Sequence, residues 1–399
     1  MRYKLLFLLI ILCSGLISAQ TYDNYSIKLQ GIYGNILPHD SHVKALIMSP
    51  VKGAELSVEF QSMNEKPWYQ FNGFPIIGVG AVWLNLGNNE QLGDAFAVYP
   101  YVSYHIINTD FLKMNFKGGM GISYLTKTYY NTNTDLLGNV LPSLTGTNGA
   151  IGSNLNIYFS AGASVEIPLN NALSVTGDYT WNHMSNGSAV APNSGLNLLN
   201  GFVGIKYSPN YKSFHSPQKQ KLQEIPKKLS FEIIASGGFR QLYYLDKKTF
   251  PIASVVAGLY HPITDFYRMG VAFDAFYDGV FDGNTQFKRY YITSNDLKNK
   301  FRIGLSWQHE LLLGRLIGGF DFGLYLYDPL KNQSPYDKAS VGTLNKGLIY
   351  PYNIDSEDGW FYTRATLKYA ISKHFFISTG LKTHLQKAEF IEWGLGYRL

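Results

Sequence analysis

Apolar and polar residues alternate along much of this chain, and the alternation recurs often enough to define an architecture. From Leu112 to Tyr124 one parity carries Leu112, Met114, Phe116, Gly118, Met120, Ile122 and Tyr124. The other carries Lys113, Asn115, Lys117, Gly119, Gly121 and Ser123. From Leu155 to Ile167 the apolar parity is Leu155, Ile157, Phe159, Ala161, Ala163, Val165 and Ile167, set against Asn156, Ser160, Ser164 and Glu166. The last segment places Ile391, Trp393, Leu395, Tyr397 and Leu399 opposite Glu392 and Arg398. Successive strand side chains point to opposite faces, so each segment predicts a strand with one apolar and one polar face. Roughly eight such segments precede residue 208 and roughly eight follow residue 228. Their connections alternate between short (Asn108–Phe111, Leu169–Asn171, Ile263–Phe266, Ser372–Phe375) and long (Thr128–Gly149, Asp278–Asn299, Asp328–Asp358). Gln61–Gly73 departs from this rhythm, being long where a short turn is due.

Strands this long and regular, with short turns on one side and long loops on the other, predict an all-β transmembrane antiparallel barrel of a bacterial outer membrane. Composition agrees: 30 Tyr, 25 Phe and 39 Gly with only 16% charged residues suit a wall with aromatic boundaries. Arg2 and Lys4, the apolar run Leu5–Leu12 and the small residues of Ser14–Ala19 predict a signal peptide over residues 1–19. That run is too short for a membrane-spanning helix, which needs about 20 apolar residues. Its Cys13 is the only cysteine, so cleavage leaves no disulfide and no thiol chemistry. Removing Arg2 and Lys4 takes the formal charge from +6 to about +4, with no basic stripe to suit a nucleic-acid partner.

The halves resemble one another, since Gly118-Gly119-Met120-Gly121-Ile122-Ser123-Tyr124-Leu125 recurs loosely at Gly318–Leu326. Between them lies a polar stretch with Pro209, Pro217 and Pro226 that predicts a linker. The expected organisation is a first barrel half at 20–208, a linker at 209–227 and a second half at 228–399. One closed barrel of about sixteen strands and two smaller barrels both satisfy such a duplication. A single C-terminal strand of the type used in barrel assembly favours one barrel, and makes the barrel-assembly machinery an expected partner.

The seventh strand carries a constellation that suits chemistry. Leu173, Val175, Gly177, Tyr179 and Trp181 share a face, and the same parity continues to His183 and Ser185. Two positions along a strand is about 6.6 Å, a separation at which a histidine base and a serine nucleophile can meet. With both termini periplasmic this strand runs outward, which puts the pair on the lipid-facing side near the outer leaflet. After the next turn Asn197 has the parity of Leu199, Val203, Ile205 and Tyr207, so a tight return brings it beside His183.

His183-Met184-Ser185-Asn186-Gly187, followed by Pro192-Asn193-Ser194-Gly195-Leu196-Asn197, resembles the outer-membrane lipid A 3-O-deacylase (PagL-like) family, also described as acyloxyacyl hydrolases. The likeness covers about residues 25–207. It implies an eight-strand barrel with a lipid-facing Ser-His-Glu triad that removes an acyl chain from lipid A. Carried over, Ser185 is the nucleophile, His183 the base, and the Asn186 backbone amide helps hold the oxyanion. The acid of the triad falls on Asn197, a departure from the family pattern. An amide oxygen can still fix the imidazole tautomer but brings no negative charge. No cofactor or metal is implied, and the implied partner is lipid A or a related outer-leaflet lipid.

Other features have plainer readings. His39 and His42 flank Asp40 in a polar loop without a third ligand to make a metal site. Asn193 and Asn197 suit turns as well as chemistry. Gly118–Gly121 precedes no helix, which argues for wall packing over a nucleotide loop. His384 shares the lumen parity of Lys382, and Gln386 stands where a serine would be, so the second half is expected to lack the site. Lumen-facing Lys113, Lys117, Glu166, Lys382, Glu392 and Arg398 suit either a channel or a salt-bridged plug. The expected function is a serine esterase acting on an outer-leaflet lipid; a non-catalytic pore or lipid-binding scaffold, or a surface adhesin, are the alternatives.

Overall fold

The computed structural model describes residues 24–39, 41–61, 67–141, 147–209, 228–241, 244, 248–281, 295–328, 360–384 and 388–399. The segments expected to be signal peptide and nearly all of the expected linker, together with Asp40 and Gln386, lie outside the described residues. No helix among the described residues is long and apolar enough to cross a membrane.

The alternating segments form sixteen antiparallel strands. The first eight are β1 (Asn24–Leu37), β2 (Val51–Gln61), β3 (Ile76–Asn85), β4 (Asp94–Asn108), β5 (Lys113–Leu125), β6 (Leu155–Pro168), β7 (Leu173–Ser185) and β8 (Leu196–Tyr207). The second eight are β9 (Ser230–Gln241), β10 (Thr249–Pro262), β11 (Tyr267–Asp278), β12 (Phe301–Leu313), β13 (Leu316–Tyr327), β14 (Phe361–Ala370), β15 (Phe375–Thr383) and β16 (Ala388–Arg398). The expectation of one barrel of about sixteen strands is corrected here, because the sheet closes twice. β8 returns to pair with β1, with Ile27 opposite Tyr207, and β16 pairs with β9, with Trp393 opposite Gly237. Closure of each unit on itself satisfies every edge strand, so neither half needs the other to complete its ladder.

The faces follow the sequence parity. Val203, Leu395 and Trp393 stand outward, each more than 60% exposed, while Lys117, Glu55 and Asn182 are buried inside. Apolar outside and polar inside is the inverse of a water-soluble protein and fits a wall in lipid. Each lumen is filled by paired charges. In the first barrel Lys28 lies 3.1 Å and Lys117 3.5 Å from Asp178 Oδ2, Lys117 also lies 3.0 Å from Glu55, and Lys206 reaches Glu59 at 2.8 Å and Glu166 at 2.9 Å. In the second, Arg364 binds Asp274 and Asp321, both at 2.9 Å, Lys368 binds Glu232 and Glu310, and Arg398 reaches Glu232 at 2.6 Å. The lumen-facing residues expected from sequence therefore lie in a salt-bridged plug. Eight strands enclose just enough space for such side chains.

Both ends of the first barrel are also covered. At the end where β1 leads into β2, the short helix Ser41–Leu46 buries Val43 and Leu46 against Leu86, Leu92, Ala150 and Ile151. At the opposite end the long connection that broke the rhythm holds the helix Pro67–Phe71, whose Tyr69 and Gln70 are buried. The Gln61 side-chain amide donates to the Phe74 carbonyl at 2.9 Å, which ties that segment back to the barrel.

The two barrels stand side by side with matching ends level. Ser188 Oγ donates to the Ala388 carbonyl, the Gln241 amide donates to the Ser188 carbonyl, and the Ala191 amide donates to Gln241 Oε1, each at 3.0 Å. These bonds join the β7–β8 loop of the first barrel to the loop ends of β9 and β16 in the second.

Candidate active site

The sequence places His183, Ser185 and Asn197 within reach of one another only if β7 and β8 pair without a register slip. They do, and His183 sits directly across the ladder from Asn197. The alternation that turns Trp181, His183 and Ser185 outward turns Asn182 and Met184 inward, where both are buried. Met184 and Leu196 thus anchor the strand ends below the site in the same apolar cluster that holds the loop cap.

His183 Nδ1 lies 2.7 Å from Asn197 Oδ1. The other side of that amide, Nδ2, lies 3.3 Å from His39 Nδ1, and His39 Nε2 lies 2.9 Å from the Ser194 carbonyl. The direction of this chain can be worked out from its far end. A carbonyl only accepts, so neutral His39 carries its proton on Nε2 and presents Nδ1 as an acceptor. The Asn197 NH2 must then face His39, and its oxygen must face His183. His183 donates from Nδ1 and keeps a lone pair on Nε2. The ring is held by stacking on Trp181, with centroids 5.7 Å apart and planes 16° apart, and by Phe159 at 6.4 Å.

Ser185 is buried, and two donors converge on its hydroxyl oxygen: the Gly187 amide at 3.1 Å and Asn193 Nδ2 at 3.4 Å. No hydrogen bond joins Ser185 to His183 in this arrangement of the described residues. Gly195 lies between them: a Cβ there would come 2.9 Å from His183 Cε1 and 3.2 Å from Ser185 Cβ. Both side chains therefore border the same small space. The Asn186 amide, expected from sequence at the oxyanion, donates to Asn193 Oδ1 at 3.1 Å, and its side chain ties down the loop through Ser153 Oγ and the Val190 carbonyl.

Two contributors, His39 and Gly195, were not singled out for this chemistry by the sequence, and Asn193 suited a turn as well as chemistry. Asn193 and Gly195 both sit inside the quoted motif. His39 is 158 positions from Asn197, beyond the reach of any local pattern. His384 is buried in the second lumen, with Nε2 2.9 Å from the Tyr325 hydroxyl, well away from the lipid-facing wall. No cluster of three or more metal-ligating side chains occurs among the described residues.

Fold and faces define an integral outer-membrane β-barrel protein. A family model described as lipid A 3-O-deacylase (PagL) matches residues 52–206, and one described as the C-terminal domain of acyloxyacyl hydrolase matches residues 229–343 and 343–399. The chain belongs to this PagL-like family of outer-membrane lipid A deacylases. A search of curated proteins returned no match. Among solved structures, the outer membrane enzyme PagL is 16% identical, with a TM-score of 0.26 over 45% of this chain and 97% of its own. Neisserial surface protein A is 8% identical, with a TM-score of 0.27 over 46% of this chain and 95% of its own. A mutant porin of Rh. blastica is 9% identical, with a TM-score of 0.17 over 94% of this chain and 100% of its own.

Proposed function

We propose that the first barrel, residues 20–208, is a serine esterase that removes an ester-linked acyl chain from lipid A or a related outer-leaflet lipid. The observation that carries this reading is the 2.7 Å contact between His183 and Asn197, which leaves His183 Nε2 unprotonated at the border of the space shared with Ser185. In this reading Nε2 takes the Ser185 proton as Oγ attacks the ester carbonyl. The tetrahedral oxyanion is held by donors near Ser185, with the Gly187 amide and Asn193 Nδ2 best situated and Asn186 supporting their loop. His183 returns the proton to the leaving sugar oxygen, and water then releases the fatty acid from the acylated serine by the same steps in reverse. A movement of the His183 side chain toward Ser185 is required, as catalytic hydrogen bonds often tighten only when substrate arrives. Asn197 orients the ring without supplying charge.

The competing reading is a non-catalytic lipid-binding scaffold with a relic motif. The unformed His183–Ser185 bond and the amide at the acid position favour it. The salt-bridged lumens speak against a pore. Mass spectrometry of lipid A from cells expressing wild type, Ser185→Ala or His183→Ala separates the readings, with heat-modifiable gel migration as the check on folding. Esterase action predicts loss of a fatty acid only with wild type, each variant being slower by roughly 10⁴-fold or more. An unchanged lipid A profile with folded wild type would establish the scaffold instead.

A further inference from the structure

The outer walls of the two barrels face each other across an apolar groove of about 520 Å³. That volume falls within the range of roughly 300–1,000 Å³ typical of small-molecule sites. Met120, Ile157 and Phe159 line it from the first barrel, and Leu311, Phe320 and Leu381 from the second, with no Asp, Glu, Lys or Arg among the described lining residues. Its position is fixed by the ladders. Ile157 is the direct partner of Ser185 and Phe159 of His183, so two of the groove's lining residues adjoin the proposed nucleophile and base. Directly opposed residues have Cβ atoms about 4.5–5.5 Å apart.

The second barrel closes on the same spot. A Cβ on Gly187 would stand 2.4 Å from Ile391 and 3.2 Å from Leu381, so the wall of the second barrel lies against the backbone two residues beyond Ser185. From there the groove descends along the strands. His309 is level with Phe320, and Leu311 and Leu313 follow toward the end where β12 turns into β13. Four residues at about 3.3 Å each give roughly 13 Å of descent below that level.

We propose that this groove holds the acyl chain whose ester Ser185 attacks, and that the second barrel is the far wall that selects chain length. The inference rests on the esterase reading above. A hydrocarbon is the occupant that fits, because the walls are apolar, the groove runs with the strands, and its upper end adjoins a group suited to ester attack. A bilayer lipid that merely fills the gap would leave selectivity among esters untouched.

The groove offers a clean test at Gly318. This residue lines the groove, and a Cβ there meets nothing within 4 Å, so a side chain can enter the groove without displacing protein. The assay uses the purified full chain in detergent and compares kcat/KM for p-nitrophenyl palmitate and p-nitrophenyl butyrate. Gly318→Phe is expected to lower the palmitate-to-butyrate ratio by on the order of tenfold or more, since a few methylenes of lost burial suffice for that. Leu381→Ala, which widens the groove, is expected to move the ratio the other way. Val255→Phe, on the outward face of β10 and outside the groove, is expected to leave it unchanged. Equal losses on both esters, or an unmoved ratio in folded Gly318→Phe and Leu381→Ala, would overturn the proposal. Ser185→Ala keeps the two readings apart. If it is active the esterase reading fails, and if it is inactive while the ratio stays unmoved only the groove assignment fails.

Discussion

Asn197 Nδ2 lies 3.3 Å from His39 Nδ1, so the residue that holds His183 is itself held from the loop after β1. An isolated asparagine can present either its oxygen or its nitrogen to an imidazole. Here the Ser194 carbonyl sets His39, His39 sets Asn197, and Asn197 sets the tautomer of His183. Where the family pattern uses a carboxylate, which only accepts, this chain has an amide whose direction needs a second partner.

His39 is accordingly a positioning residue, and its effect should pass through Asn197. Asn197→Ala is expected to reduce kcat by roughly 10–100-fold with KM unchanged, since Ser185 and His183 remain. His39→Ala should cost less, about 3–10-fold, and the double variant should be no slower than Asn197→Ala alone. Steady-state rates on purified lipid A in detergent give the coupling directly. Additive losses would show that the two residues act independently.

Gly195 has to be glycine for two separate reasons. Its φ of +75° lies in the left-handed region, which costs another residue about 1–2 kcal/mol, and a Cβ would press on both His183 Cε1 and Ser185 Cβ. Gly195→Ala is therefore expected to abolish activity while leaving heat-modifiable migration intact, because the change lies in the loop cap and not in the wall. Wild-type rates in this variant would mean that the pair has more room than the backbone geometry allows.

Parity was legible because strand side chains alternate with a period of two, so a single apolar run fixes both faces. Trp181, His183 and Ser185 could thus be placed on the outer wall, and Lys382 with His384 inside, from sequence alone. Closure was not legible. Whether β8 pairs with β1 or leaves its edge for β9 depends on contacts some 180 residues apart, such as Ile27 with Tyr207, which leave no local mark. His39 escaped for the same reason, and Asn193 because asparagine in a turn is ordinary chemistry for its backbone. The long Gln61–Gly73 connection resisted a reading because its buried residues, Tyr69 and Gln70, meet the barrel end only after folding.

The second barrel should be silent in catalysis. His384 is buried beside Tyr325 and Glu389 in the second lumen. His384→Ala is expected to leave esterase rates as they were, while costing that barrel about 1–3 kcal/mol because the Tyr325 hydroxyl loses its imidazole partner and keeps the Lys382 ammonium. Urea titration in detergent alongside the lipid A assay separates these effects. A loss of activity in the folded variant would assign His384 a role that its lumen position does not suggest.

The last prediction concerns the charges inside the first barrel. Lys117 sits fully inside, 3.0 Å from Glu55 and 3.5 Å from Asp178, with its ammonium 4.2 Å from the Tyr101 ring centre. Lys117→Met leaves Glu55 with hydroxyl donors from Ser57 and Tyr99 but without a cation in contact. A buried carboxylate stripped of its ion-pair partner costs about 3–5 kcal/mol. Asp178→Asn is milder, because Lys28 keeps Glu59 at 3.4 Å, Lys117 keeps Glu55, and the new amide oxygen can still accept from either lysine. About 1–3 kcal/mol is expected for it. Urea unfolding of the detergent-solubilised protein, followed by gel migration, should rank the two in that order. Neither change touches the outer wall, so lipid A deacylation by the folded fraction should stay at the wild-type rate. In planar bilayers the wild type should pass no steady current, because paired side chains occupy the lumen. A reversed ranking, or open-channel conductance in the wild type, would mean that water and not ion pairing fills the space between these residues.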